Sequence, residues 1–256
     1  MAVALGLLGC TGLPPFSRPA NEPASTVQPL QSPAPTPPPR FEPHRWFEPL
    51  NQLLPADVLL LGEQHDAPDH QRLHHFVIDT LSQRQMLAGV VLEMASLGQS
   101  TATLGPQASE AAVRAALQWN DAAWPWQAYG PAVMAAVRAG VPVWGGNLPT
   151  ASQQAAMQNP DLEQQLPRAA WLAQQQAIRA GHCDMLPERQ IAPMTRIQIA
   201  RDLAMAQALA QVAVKGKTVV LLAGSGHVNR ALGVPLHLPA AWSTRALLLR
   251  LSLIHI

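Results

Sequence analysis

Four aliphatic runs break an otherwise Ala-, Gln- and Pro-rich chain: residues 58–61 (Val-Leu-Leu-Leu), 89–94 (Gly-Val-Val-Leu-Glu-Met), 141–147 (Val-Pro-Val-Trp-Gly-Gly-Asn) and 218–222 (Thr-Val-Val-Leu-Leu). Short continuous apolar runs bounded by Gly or Pro read as strands buried on both faces. A weaker run over 244–250 adds a fifth. Between the strands the apolar spacing turns helical. A helix is predicted over 68–85, with Leu73, Phe76, Val77 and Leu81 on one face. Others follow at 109–119, through Val133 and Val137 after the Trp124-Pro125-Trp126 turn, at 162–179 and at 190–214. Strands alternating with helices imply an α/β fold, an open and mostly parallel sheet flanked by helices.

Two of the strands end in the same signature, Gly62-Glu63-Gln64-His65 and Gly224-Ser225-Gly226-His227. Glu93 lies at the end of the second strand and Asn147 at the end of the third. In parallel sheets ligands sit beyond the carboxyl ends of the strands. Glu63, His65, Glu93, Asn147 and His227 therefore converge on one crevice if the strands are parallel. Such a set can bind a metal, run acid–base chemistry or orient a large cofactor; ordinary turn residues with solvated side chains give the same pattern. Gly62, Gly224 and Gly226 allow backbone to pass close to a ligand. His70 and His74, four apart on the predicted helix beside His75, suit metal ligation or a solvated helix face. Tyr129, the one tyrosine, lies in a Trp-rich segment and reads as a packing residue at the core edge.

Composition adds limits. A net charge of +1 gives no sign of a nucleic-acid partner. Residues 1–10, ending Leu7-Leu8-Gly9-Cys10, read as a lipoprotein signal peptide with Cys10 as the lipidated (palmitoylated) residue. No Lys or Arg precedes Arg18, so either the true start lies upstream or this is not a signal. Residues 11–43 form a Pro-rich linker that cannot build a core, and 44–250 carry the folded domain. The last six residues, 251–256, match a translated sequencing adapter. With Cys10 lipidated, Cys183 has no partner and no structural disulfide is expected.

The segments Leu61-Gly62-Glu63-Gln64-His65-Asp66, Leu92-Glu93-Met94, Trp126-Gln127-Ala128-Tyr129-Gly130-Pro131, Pro142–Pro149, His182–Glu188, Gln198–Ala206 and Gly224–Arg230, in this order, resemble the ChaN-like family of haem-binding, iron-regulated bacterial lipoproteins. That family is similar in fold to a wider group with erythromycin-esterase-like hydrolases and TraB/Tiki-type proteins. The resemblance implies haem binding in iron acquisition at the bacterial cell envelope, with a lipid anchor on the outer membrane facing the periplasm and a homodimer as a possible way to share haem. It implies a tyrosine as iron ligand, which here falls to Tyr129; without it, His65 or His227 would serve. Glu63, Trp126 and Asn147 complete the expected cofactor set. Trp124 and Met94 would flank the ring, and Arg72 or Arg230 would pair with a propionate. The competing expectation is a hydrolase, with or without a divalent metal, using Glu63, His65, Glu93 and His227.

Overall fold

The computed structural model describes residues 41–250. Cys10, the linker up to residue 40 and the hexapeptide 251–256 lie outside the described residues. Five strands form one sheet in the order β3-β2-β4-β1-β5: β1 (Val58–Glu63), β2 (Leu87–Ser96), β3 (Val143–Asn147), β4 (Thr218–Gly224) and β5 (Thr244–Leu248). Every pairing is parallel. The helices are α1 (Phe47–Leu53), α2 (Pro68–Gln83), α3 (Glu110–Ala116), α4 (Trp126–Arg138), α5 (Thr150–Gln158), α6 (Arg168–Gly181) and α7 (Glu188–Val212).

Alternation within the strands divides the core into two layers. Leu59, Leu61, Leu92, Val220 and Leu222 face one way, onto α2 (Leu73, Val77, Ile78, Leu81) and α4 (Val133, Val137). Val58, Leu60, Val91, Val219, Leu221 and Ala223 face the other way, onto Met205, Leu209 and Val212 of α7. Successive strand residues point to opposite faces, so strands apolar at every position require helices on both. Beyond α7, Leu166 and Trp171 pack on Ile199 as a smaller third cluster.

The predicted strands and helices are present, with boundary shifts that have local causes. The helix expected over 162–179 begins only at Arg168, preceded by a 3₁₀ segment, Pro160–Gln165. Leu166 is extended, as residues before proline tend to be, and Pro167 forms the cap of α6. The helix expected over 109–119 ends at Ala116, and Gln118 then adopts φ 45°. The third strand starts at Val143, after Pro142, and the second extends to Leu87–Ser96. Helices α1 and α5 carried too little apolar periodicity to be seen in the sequence. Ahead of residue 44, Phe41 packs on Phe76, ring centroids 6.4 Å apart.

Candidate functional site

The strand order explains how distant residues meet. β4 lies between β1 and β2, and Glu63 pairs in register with Gly224. Because all chains run the same way, the ends of β1, β2 and β4 come side by side. Glu63 is 1% exposed, Glu93 6% and His227 5%. These are charged groups at the edge of an apolar core, and such groups persist only when partnered.

Glu63 is the hub on the α2–α4 side. Its Oε1 accepts from His65 Nδ1 (2.7 Å) and from the Tyr129 hydroxyl (2.6 Å). Its Oε2 accepts from Gln71 Nε2 (2.8 Å), and His74 Nδ1 stands 3.5 Å away. Glu93 is the hub on the α7 side. Its Oε2 accepts from the Gly224 N–H (2.7 Å), and its Oε1 faces His227 Nε2 at 3.3 Å. On its far side His227 Nδ1 donates to Asp202 Oδ1 (2.6 Å), with the Gln198 amide 3.1 Å from the same nitrogen. Asn147 Nδ2 donates to the Glu93 carbonyl (2.9 Å) and fixes its backbone. The two halves meet where His65 Nε2 approaches Glu93 Oε2 at 3.9 Å.

The charges follow from these contacts. For His227, burial alone would lower the pKa, but Glu93 and Asp202 raise it to about 10, so the ring is an imidazolium. Burial raises Glu93, yet His227 and the Gly224 amide bring it down to about 2. Burial lifts Asp202 to about 6, partly offset by His227. Burial also opposes the charged form of His65, but the hydrogen bond to Glu63 and the charges of Glu93 and Glu63 leave its pKa raised. His74, wholly buried, falls to about 4 and is neutral.

Each residue singled out in the sequence has a definite place. Glu63, His65, Glu93, Asn147 and His227 come together. Tyr129 lies with them but underneath. It is 2% exposed, its hydroxyl is committed to Glu63, and burial together with the Glu63 charge raises its pKa and disfavours the tyrosinate. As folded, its hydroxyl is turned to Glu63 and it does not line the pocket at His65. Trp126, 6% exposed, is tied by Nε1 to Glu110 Oε2 (3.0 Å) and packs on Trp119. The aromatic ring beside His65 is Trp124, edge-on at 4.8 Å. Met94 is buried in the core layer. His70 and His74 are neither solvated nor ligand-like: both are buried, and His70 Nδ1 accepts from the Gln64 N–H (3.0 Å). Arg230 lines a separate cavity with Trp242, whereas Arg72 shares a pocket with His65. Cys183 is exposed and has no disulfide partner among the described residues.

The sequence reading missed Asp202, Gln71 and Gln198. A signal existed for two of them. Asp202 stands in line with the apolar positions Ile199, Met205 and Leu209 of α7, and Gln71 lies on the stripe of His74, Ile78 and Leu81 in α2. A polar residue on the buried stripe of a helix asks for a partner in the core.

His65 is the accessible member, its side chain 42% exposed. One nitrogen is held by Glu63, while among the described residues Nε2 has no hydrogen bond within reach. A Cβ on Gly224 would lie 3.0 Å from that nitrogen and 3.4 Å from Glu93 Oε2, so the glycine keeps this atom open. His65 also borders a pocket of about 410 Å³ between α2 and α4, with Pro68, Ala128 and Pro131 as apolar walls. A larger cavity, about 880 Å³, lies further along the α2–α4 groove and does not include His65. Among the described residues, no group of three or more His, Cys, Asp or Glu side chains could hold a metal ion. No helix among them is long and apolar enough to cross a membrane.

Comparison with known proteins fits this geometry. No curated protein matches the chain. A solved structure of ChaN from Campylobacter jejuni, described as binding haem cofacially, superposes with a TM-score of 0.63 at 23% identity, covering 82% of this chain and 88% of that one. It shows the same fold. The model of the family described as haem-binding uptake, Tiki superfamily, ChaN, matches residues 50–238, and the chain belongs to that family.

Proposed function

We propose that this protein binds haem at the mouth of the α2–α4 pocket, with His65 Nε2 as the atom that meets the iron. The observation that carries this is His65 itself: one nitrogen oriented by a buried carboxylate at 2.7 Å, the other left open over Gly224. Histidine ligands are commonly fixed in this way by a carboxylate on the second nitrogen. The surroundings suit a flat apolar group, with Pro68, Ala128 and Pro131 in the pocket and Trp124 against the imidazole. Bound haem would supply an iron centre; the chain supplies the ligand, its orientation and the apolar walls. Tyr129 acts one layer below, helping to hold Glu63. Titration of the protein with haemin should give a saturable, shifted Soret band that is lost in His65→Ala and kept in Tyr129→Phe. A band that survives His65→Ala and disappears in Tyr129→Phe would reverse the assignment.

The role belongs to haem or iron uptake or storage at the bacterial envelope. The lipobox ending in Cys10 and the Pro-rich stretch after it support a lipid anchor with a spacer, on the outer membrane facing the periplasm. Radiolabelled palmitate should be incorporated by the wild type and not by Cys10→Ser. The pocket is open on one side, so a second copy of the chain is the natural cover for an exposed face of the cofactor. Sedimentation with and without haemin tests that pairing.

One observation favours a second reading. His65 Nε2 and Glu93 Oε2 stand 3.9 Å apart, a spacing that admits one water hydrogen-bonded to both. An imidazole backed by Glu63 could take a proton from that water and direct it at an ester or amide. This Glu/His-dependent hydrolase and haem binding would compete for one nitrogen. Ester turnover by the haem-free protein, abolished by His65→Ala and inhibited by haemin, would support it; turnover intact in His65→Ala would exclude it.

A further inference from the structure

Haem binding as proposed above gives Glu93 no part, yet its carboxylate borders the open atom of His65. Carboxylates and imidazoles alternate through the strand ends in the order Glu63, His65, Glu93, His227 and Asp202. Three of the four gaps between them are close contacts, of 2.7, 3.3 and 2.6 Å. The remaining gap, from His65 Nε2 to Glu93 Oε2, is 3.9 Å. Both of these atoms flank the bare Cα of Gly224: a Cβ there would lie 3.0 Å from the nitrogen and 3.4 Å from the oxygen. The break in the series therefore falls where a group bound to His65 Nε2 would sit. Glu93 is buried and fixed in place, because its Oε2 accepts from the Gly224 N–H at 2.7 Å and its Oε1 faces His227 Nε2.

We infer that Glu93 sets the oxidation state this site prefers, favouring ferric over ferrous haem. The inference rests on haem binding through His65 and deepens it. Ferric haem carries one more positive charge than ferrous haem, and a fixed carboxylate beside the ligating nitrogen stabilises the more positive form. Burial keeps that charge from being screened by salt. Groups around an axial ligand tune its iron in this way. Two features of the site work against the effect. The Gly224 amide draws on Glu93 Oε2, and the His227 ring lies between Glu93 and Asp202. With His65 neutral as a ligand, Glu63, Glu93 and Asp202 still face the single cation of His227. The sum stays negative, and Glu93 is the carboxylate on the Nε2 side of His65.

The test is the reduction potential of the full-length protein at saturating haemin, followed by spectroelectrochemical titration in the wild type, Glu93→Gln and Asp202→Asn. Glutamine keeps an acceptor for the Gly224 N–H and removes the charge. In Glu93→Gln the preference for ferric haem should fall about tenfold, which raises the potential by about 59 mV for a one-electron couple. Asp202→Asn removes a charge further out and should raise the potential by less. A merely structural role for Glu93 would weaken ferric and ferrous binding together and leave the potential where it was. An unmoved or lowered potential in Glu93→Gln therefore overturns the proposal. Should Glu93→Gln fail to fold, Asp202→Asn decides, and a potential equal to that of the wild type overturns it. If haemin gives no Soret shift with the wild type, haem binding itself fails and this inference falls with it.

Discussion

His65 and His227 end the same Gly-x-x-His signature on neighbouring strands, yet the fold gives them opposite tasks. His227 points under α7, where it is buried between Glu93 and Asp202. His65 turns toward α2 and α4, keeps a single close carboxylate partner and leaves its other nitrogen open. The first is a structural cation that reconciles two buried carboxylates. The second is a presented base. What separates them is how closely carboxylates enclose the ring: Glu93 at 3.3 Å and Asp202 at 2.6 Å hold the buried His227, whereas the second carboxylate of the half-exposed His65, Glu93, stands 3.9 Å off, and Asp202, a residue of α7, reaches His227 and not His65.

The largest expected effect comes from breaking the buried end. His227→Ala leaves Glu93 and Asp202 facing each other without a cation and should lower the unfolding free energy by about 3–5 kcal/mol in a denaturant titration. A loss below about 1 kcal/mol would mean that the pair is not structural.

Titration probes the same end more gently. His227 is raised in the folded state, so its contribution is whole below its ordinary value of 6.5 and is lost as pH climbs toward about 10. Glu93 is depressed, so its contribution is whole above 4.5 and is lost as pH falls toward about 2. Asp202 runs against Glu93: its pKa is raised to about 6, so its stabilising contribution falls as pH rises from 3.8 through that value. The alkaline limb is therefore the cleaner one. Denaturant midpoints measured from pH 6.5 to 10 should fall in the wild type and stay flatter in His227→Gln.

The presented end should respond in binding and hardly at all in stability. His65→Ala should change the unfolding free energy by no more than about 1 kcal/mol, because the ring is well exposed and its ion pair is screened, while the haemin Soret shift disappears. Gly224→Ala sharpens the contrast from the other side. Its methyl group, 3.0 Å from His65 Nε2, should weaken haemin binding about tenfold without removing any ligand. The smallest effect on binding belongs to Tyr129→Phe, which deletes one hydrogen bond to the buried Glu63 carboxylate: it should leave the Soret position in place while costing about 1.5–3 kcal/mol of stability.

Much of the fold was legible because strand and helix periodicity are local properties. The aliphatic runs 58–61 and 218–222 could only be strands buried on both faces, and both are fully buried in β1 and β4. The short helices α1 and α5 were not legible, since a few turns with little apolar bias carry no period to detect. In the site, Glu63, His65, Glu93, Asn147 and His227 could be assembled from their positions past strand ends. Asp202 could not, because nothing local says which strand end lies beneath the middle of a helix. The histidines of α2 show the same limit. His70, His74 and His75 look alike in sequence, but only the packing of α2 on α4 and β1 buries the first two and leaves the third facing the pocket.

By itself the sequence determined the elements, their alternation, and the polar residues that end each strand, since these follow from composition and period along the chain. The tertiary structure decided the rest. It inserted β4 between β1 and β2, and so brought two signatures more than a hundred and fifty residues apart into contact. It also placed Tyr129 beneath Glu63 and His65 above it. Burial and the sign of neighbouring charges, which depend on the whole chain's packing, fix which of these groups a ligand can reach.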